Sequence, residues 1–308
     1  MPGCYVVFHK QLGDLLLLEP ALRRLQAHHG GEIAVCTRGG HAPMLDLMPG
    51  MKLQWGPMLQ PRTHLYCFDT LNKSAWRSLF APTRSKICII PDAEELAWFH
   101  PWLFGDVVVP GLGDSYVAEY FWENTPVPTT AGFRAPRLTL PPAEWKPAEA
   151  PDSPFILLNP TSGWRRKSWI SAGWAEVVRA LHAAGLPPII MTSATNDWQL
   201  AQCGEIEALS APLVRGFTTP TTLQNYLWLC ANASMVLSVD GSAAHLAAAF
   251  EVPNLTLFGP SNPRNWHCPT ATSVALRAPS LEDGKHKMRL LPPSAVTSAA
   301  LDLWKRSR

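Results

Sequence analysis

MVLSVDGSAAHLAAAFEVPNLTLF, residues 235–258, decides the fold. MVLSV (235–239) is a short apolar run rich in β-formers, the pattern of a buried strand. SAAHLAAAF (242–250) starts straight after it and reads as a helix, and NLTLF (254–258) is a second β-rich run. Strand, helix, strand in such close succession argues for a parallel α/β sheet with helical crossovers. The turn between the first two pieces puts Gly241 and Ser242 at a helix N-terminus, where free N–H groups and the helix dipole favour an anion.

The same alternation extends in both directions. FILLN (155–159) and PIIMT (188–192) read as strands, and residues 171–185 as a helix capped by Ser171 and stopped by Gly185. PSAVTSAALDLWKRS near the C-terminus is a last helix. In the first half the strands are CYVVF (4–8), EIAVCT (32–37), HLYCF (64–68), KICIIP (86–91) and DVVVP (106–110), with SYVAEYFWEN (115–124) as its last helix. Eight prolines within residues 125–154 stop both helix and central strand, so this stretch reads as a semi-rigid linker. The expected organisation is two Rossmann-like domains, residues 1–150 (linker at its end) and 151–308, facing across a cleft that holds the ligand.

Composition agrees. At 308 residues the chain fits two domains, and 47% hydrophobic residues suffice for two cores. A net charge of +2 does not fit a nucleic-acid binder. Seven cysteines, an odd number without any CxxC, read as reduced thiols and not as a disulfide framework or zinc site. The N-terminal stretch has no basic leader and only a short apolar run, and no run is long enough to span a membrane. These features predict a cytoplasmic protein.

Three places carry candidate chemistry. FHKQLGDLLLLEPALRRL (8–25) puts Gly13 and Asp14 where a strand turns into a helix pattern that begins at Leu15. Asp14 there is either a helix cap or a catalytic group; Pro20 either kinks the helix or starts its regular part. NPTSGWRRKSW (159–169) offers Thr161, Ser162 and three cations, Arg165, Arg166 and Lys167, at a strand end, as a phosphate needs. The third is the turn at Gly241 and Ser242. Weaker signals fall away. GLGDSY (111–116) lacks the third glycine of a dinucleotide fingerprint, and there is no P-loop. Ser242 lies in no G-x-S-x-G elbow.

With these blocks the chain resembles glycosyltransferase family 9, the lipopolysaccharide heptosyltransferase family. GDLLLLEPAL (13–22), NPTSGWRRKSW and SVDGSAAHLAAAFEVPNLTLFGPSNPRNW (238–266) carry the resemblance. It implies a B-type glycosyltransferase fold, with acceptor bound by the first domain and nucleotide sugar by the second. It implies an inverting transfer of a sugar, by default heptose from ADP-heptose, onto a lipopolysaccharide-core or related saccharide, lipid-linked or soluble. Asp14 would be the general base and Lys167 a catalytic cation. Thr161, Ser162, Lys167, Asp197, Asp240, Gly241, Ser242 and His245 would bind the donor, with Asp240 shaping its turn and Asp197 aligned with an acid that holds the ribose. Lys10, Gly13 and Arg62 would bind the acceptor. His9, Arg23, Arg24 and Arg38 are further cations of that domain, with a solvated surface an equal reading for Arg23 and Arg24. No cofactor and no metal are expected; contact with the inner membrane face would be transient. The family usually reads Asp, Ser or Thr, then Gly, whereas this chain reads Asp240, Gly241, Ser242. A nucleotide-sugar epimerase of the same architecture and a non-catalytic carbohydrate-binding protein are the alternatives.

Overall fold

The computed structural model describes residues 4–53, 62–68, 83–90, 96–109, 111–192, 196–216, 221–281 and 284–308. The chain divides into two compact units, Met1–Thr139 and Leu140–Arg308.

The first unit contains β1 (Cys4–Val7), α1 (Leu12–Leu17), α2 (Glu19–His29), β2 (Ile33–Cys36), β3 (Met51–Leu53), β4 (Arg62–Cys67), β5 (Thr83–Ile89), β6 (Asp106–Val108) and α3 (Val117–Glu123). All its strands are parallel, in the order β3-β2-β1-β4-β5-β6. The order reverses between β1 and β4, so the carboxyl ends of these two strands flank the crevice where open α/β sheets take ligands. Tyr5, Val7, Ala34, Cys36, Leu65 and Cys67 pack into its core. The first helix starts at Leu12, earlier than the sequence pattern predicts, and stops at Leu17. Pro20 then sits in the first turn of α2, where its missing N–H costs nothing, so it opens a second helix instead of kinking one.

The proline-rich stretch is not a free linker. Its first part is strapped to α2. Arg23 pairs with the buried Glu19 and donates to the carbonyls of Arg134 and Ala135. Arg24 donates to the carbonyls of Trp122 and Val127. A proline-rich segment cannot join a sheet, and these guanidinium groups satisfy the carbonyls it leaves over. Arg23 and Arg24 thus hold the strap in place while staying partly exposed. From Leu140 onward the stretch belongs to the second unit: Asn225 Nδ2 donates to Trp145 O at 2.9 Å, and Lys146 Nζ lies 5.7 Å from the ring centre of Trp228. The division thus falls before residue 150 because the turn around Trp145 packs there.

The second unit contains β7 (Ile156–Asn159), α4 (Ser171–Ala183), β8 (Ile189–Met191), α5 (Asp197–Ser210), β9 (Val214–Gly216), α6 (Leu223–Asn232), β10 (Met235–Val239), α7 (Ser242–Ala249), β11 (Asn254–Phe258), β12 (Ser273–Arg277) and α8 (Pro293–Arg306). Its parallel sheet runs β12-β11-β10-β7-β8-β9, the same topology as the first, with the reversal between β7 and β10. Trp169 and Trp174, both buried, meet edge-on with ring centres 5.1 Å apart. This contact anchors the loop after β7 to α4. Ser171 is not the cap of α4. Ile170 occupies that position, and Ser171 Oγ donates to Glu205 Oε2 on α5 at 2.6 Å. Gly185, at φ 75°, ends the helix as the sequence predicts, since that backbone region strains any residue with a Cβ.

Candidate active site

At the reversal point of the second sheet, a pocket of about 330 Å³ opens between the ends of β7 and β10. Thr161, Ser162, Gly241 and Ser242 line it, so four of the expected donor-binding residues come together. Gly241 is the N-cap of α7 and Ser242 its first residue, which turns the free N–H groups of that helix to the pocket. A Cβ at Gly241 would lie 3.8 Å from Ser162 Cβ, an ordinary contact, and the residue's φ of 178° is plain extended backbone. The shifted glycine is therefore not demanded by the local fold.

Other walls come from helices. Gln199 on α5 donates from Nε2 to Thr161 Oγ1 at 3.2 Å and to Ser162 O at 2.9 Å, fixing the loop after β7. Tyr226 on α6 shares a hydrogen bond with Ser242 Oγ at 3.1 Å. Thr221 Oγ1, in the same wall, is buried with no hydrogen-bond partner among the described residues. Gln199, Thr221 and Tyr226 are additions to the residues read from sequence. The one available signal is Asn196-x-x-Gln199, a capping-box pattern. Asn196 does cap α5, but the Gln199 side chain reaches across to the β7 loop instead of back to its own helix.

Beside the pocket lies a charged cluster. Lys167 Nζ is 2.6 Å from Asp240 Oδ2, with Asp240 buried. Lys167 Nζ also lies 5.2 Å from the ring centre of Trp164 and 5.9 Å from that of Trp266. His245, one turn into α7, is buried, and its Nδ1 has no hydrogen-bond partner among the described residues. Burial pushes its imidazole down to about 4; Asp240 pulls the other way, and Lys167 and His267 add to the fall. Ser242 Oγ is bonded to Tyr226, which leaves the serine-nucleophile reading without support.

At the reversal point of the first sheet, β1 runs through the turn that carries Lys10 into α1, which holds Gly13 and Asp14. Asp14 is the third residue of α1, and its Oδ2 accepts from Gln11 N at 3.2 Å. The cap role is thus occupied. It leaves a half-buried carboxylate at the crevice end of the strand. Arg38 clamps this turn, donating from Nε to His9 O at 2.7 Å and from Nη1 to Gln11 Oε1 at 3.1 Å.

Three expected residues lie elsewhere. Asp197 is the exposed first residue of α5 and does not line the pocket; Gln199 from that helix does. Arg165 and Arg166 line a different cavity, because the short turn Arg165–Lys167 directs only Lys167 to Asp240. Arg62 opens β4 as backbone, and its side chain lies outside the described residues. Among the described residues no three His, Cys, Asp or Glu side chains gather as a metal site would require.

A family model described as glycosyltransferase family 9 (heptosyltransferase) matches residues 129–290, more than half of the chain. Lipopolysaccharide heptosyltransferase 3 of Escherichia coli is 27% identical over 166 residues, 52% of this chain and 48% of that protein. The chain thus spans about half the length of that curated relative. Two solved structures share the fold. One, E. coli ADP-heptose lipopolysaccharide heptosyltransferase II, has a TM-score of 0.82 at 19% identity and covers 99% of each chain. The other, E. coli heptosyltransferase WaaC with ADP, has a TM-score of 0.77 at 17% identity and covers 97% of this chain and 99% of that one. Two parallel sheets with flanking helices, the B-type fold expected from the resemblance, are therefore present.

Proposed function

Since the chain belongs to glycosyltransferase family 9, we propose that it is an inverting glycosyltransferase that moves heptose from ADP-heptose onto a hydroxyl of a lipopolysaccharide-core or related saccharide. The observation that carries this reading is the pocket in which Thr161, Ser162, Gly241 and Ser242 surround the N-terminus of α7, with Lys167 held alongside by Asp240. Hydroxyls, free N–H groups and a cation are what a leaving diphosphate needs. The relative solved with ADP supports an adenosine diphosphate donor.

In this mechanism the acceptor oxygen attacks the anomeric carbon as the bond from that carbon to the diphosphate breaks. Asp14 takes the hydroxyl proton. A single displacement through an oxocarbenium-like transition state inverts the centre. The diphosphate leaves with the bonding electrons, and its growing charge meets the N–H groups at Gly241 and Ser242, the hydroxyls of Thr161 and Ser162, and Lys167. An ammonium has three donors, so Lys167 can keep Asp240 and still reach a phosphate oxygen. Lys10 and Gly13 belong to the acceptor side.

The reaction runs in the cytoplasm, with reversible contact at the inner membrane face when the acceptor is lipid-linked. No helix among the described residues is long and apolar enough to cross a membrane. Incubating the protein with ADP-heptose and other nucleotide sugars, with and without a lipopolysaccharide-core saccharide, tests the reading. Donor consumption that needs acceptor, with inversion and undiminished by EDTA, is expected. Turnover of donor alone would make the protein an epimerase, and binding without turnover a carbohydrate-binding module.

A further inference from the structure

The second unit carries another cavity, of about 660 Å³, that shares no residue with the donor pocket. Arg165, Arg166, Arg277, Lys285, Lys287 and Arg289 line it, and none of the described lining residues is a carboxylate. Six formal positive charges in one groove stand against +2 for the whole chain. A groove lined by so many like charges favours a bound anion.

The groove is built. It lies at the carboxyl ends of β11 and β12, marked by Pro260 and by Arg277, the last residue of β12. The chain then doubles back: Ser280 bridges His286 in antiparallel register, Leu281 N donates to Lys285 O at 3.0 Å, and His286 Nδ1 lies 2.6 Å from Ala278 O. Met288 is buried over Gly259, where a Cβ would stand 2.6 Å from Met288 Cγ and 2.8 Å from its sulfur. The glycine admits the methionine, and the seated methionine fixes Lys287 and Arg289 on either side of it. From the opposite loop, the Arg166 guanidinium stacks 4.5 Å from the ring centre of Trp164.

We infer that this groove is a second anion site, which holds phosphate groups on the saccharide acceptor while the separate pocket holds the donor. Guanidinium forks bind phosphate through paired hydrogen bonds, and four arginines converge here. The phosphate chemistry follows from the groove itself; the acceptor as its source rests on the proposed transferase reaction.

Calorimetry on the full chain saturated with ADP tests the site, with fructose bisphosphate as the probe and fructose as its control. Arg277 and Arg289 are exposed, so Arg277→Ala and Arg289→Ala should leave the melting temperature and ADP affinity unchanged. Each should weaken the bisphosphate about tenfold, as loss of a charged hydrogen bond does. High salt should weaken it as well. In transfer assays both variants should raise KM about tenfold for a phosphorylated acceptor and leave kcat, and the KM for phosphatase-treated acceptor, unchanged. The inference is overturned if ADP displaces the bisphosphate or if neither substitution matters. It is equally overturned if phosphatidylglycerol vesicles or a single-stranded oligonucleotide bind through Arg277 and Arg289 while the bisphosphate does not. Should the wild type transfer no sugar at all, the transferase reading fails, and calorimetry still decides the groove.

Discussion

The ammonium of Lys167 lies 2.6 Å from the carboxylate of Asp240, and the two side chains are 17% and 3% exposed. A loop cation is thereby tied to the strand end that leads into α7, beside the pocket those helical N–H groups face. Lys167→Ala would remove a phosphate partner and also strand a buried carboxylate, which costs about 3–5 kcal/mol. We expect a lower melting temperature and ADP affinity reduced about tenfold, with adenosine affinity held. Asp240→Asn separates the two effects, because an amide oxygen can still accept from Lys167; it should keep ADP binding within a few-fold. Equal losses for ADP and adenosine in Lys167→Ala would mean that Lys167 acts only through the fold.

Asp14 holds Gln11 N while it is also the proposed base, and substitution can part these roles. Asparagine keeps an oxygen for the Gln11 N–H but takes no proton at neutral pH. Asp14→Asn should therefore melt near the wild type and turn over roughly 10²–10⁴ times more slowly, with ADP affinity unchanged. Asp14→Ala should in addition lose about 1 kcal/mol of stability. Wild-type turnover in Asp14→Asn would leave Asp14 a cap alone.

How far the sequence reveals this molecule depends on how each element declares itself. β10, α7 and β11 are legible because a long apolar run breaks cleanly at turn residues. β3 and β9 carry a charged residue at their centre, Lys52 and Arg215, so no apolar run marks them. α5 hides because its buried positions, Gln199, Cys203, Ile206 and Ser210, have helical spacing, yet two of them are polar. The pocket divides in the same way. Thr161, Ser162, Gly241 and Ser242 sit at strand ends, and the strand order alone brings them together. Gln199 and Tyr226 reach it from helices whose rotation only packing sets. The opposite destinations of Arg165, Arg166 and Lys167 depend on the local turn, which charge pattern cannot convey.

Buried imidazoles should weaken the fold in mild acid. Burial first, and then neighbouring positive groups, push His29 and His41 down to about 4 from the ordinary 6.5, and burial does the same to His245. Between about 4 and 6.5 the unfolded chain binds protons that the folded chain refuses, so stability falls as pH drops through that window. Melting temperatures measured from neutral pH to pH about 4 should decline steadily. His41→Gln should flatten part of the slope, since the buried group, bonded at Nδ1 to Thr37 Oγ1 at 3.2 Å, no longer has to be kept neutral. An unchanged slope would exclude His41 as a source.

By the resemblance Gly241 takes the place of a Ser or Thr, and the space around it admits a side chain. As the N-cap of α7 it should accept a hydroxyl residue with a gain of a few tenths of a kcal/mol. Gly241→Thr is expected to melt no lower than the wild type. The added methyl and hydroxyl approach Ser162, so any effect should appear in ADP affinity, and we expect less than a tenfold change. Unfolding of this variant would show that the glycine is required by the backbone.

The membrane reading predicts weak, salt-sensitive attachment. Each basic side chain near an anionic leaflet contributes about 1 kcal/mol, screened beyond about 8–10 Å at ordinary ionic strength. The protein should pellet partly with phosphatidylglycerol vesicles at low salt, leave them at high salt, and ignore neutral vesicles. Lys10→Glu, at the turn that leads into α1, should slow transfer to an acidic acceptor while donor affinity stays constant. The first unit also exposes Trp98 and Trp102, at 87% and 79%. Indole rings favour the headgroup region, so binding that resists salt and falls in Trp98→Ala or Trp102→Ala would replace the electrostatic account with an apolar one.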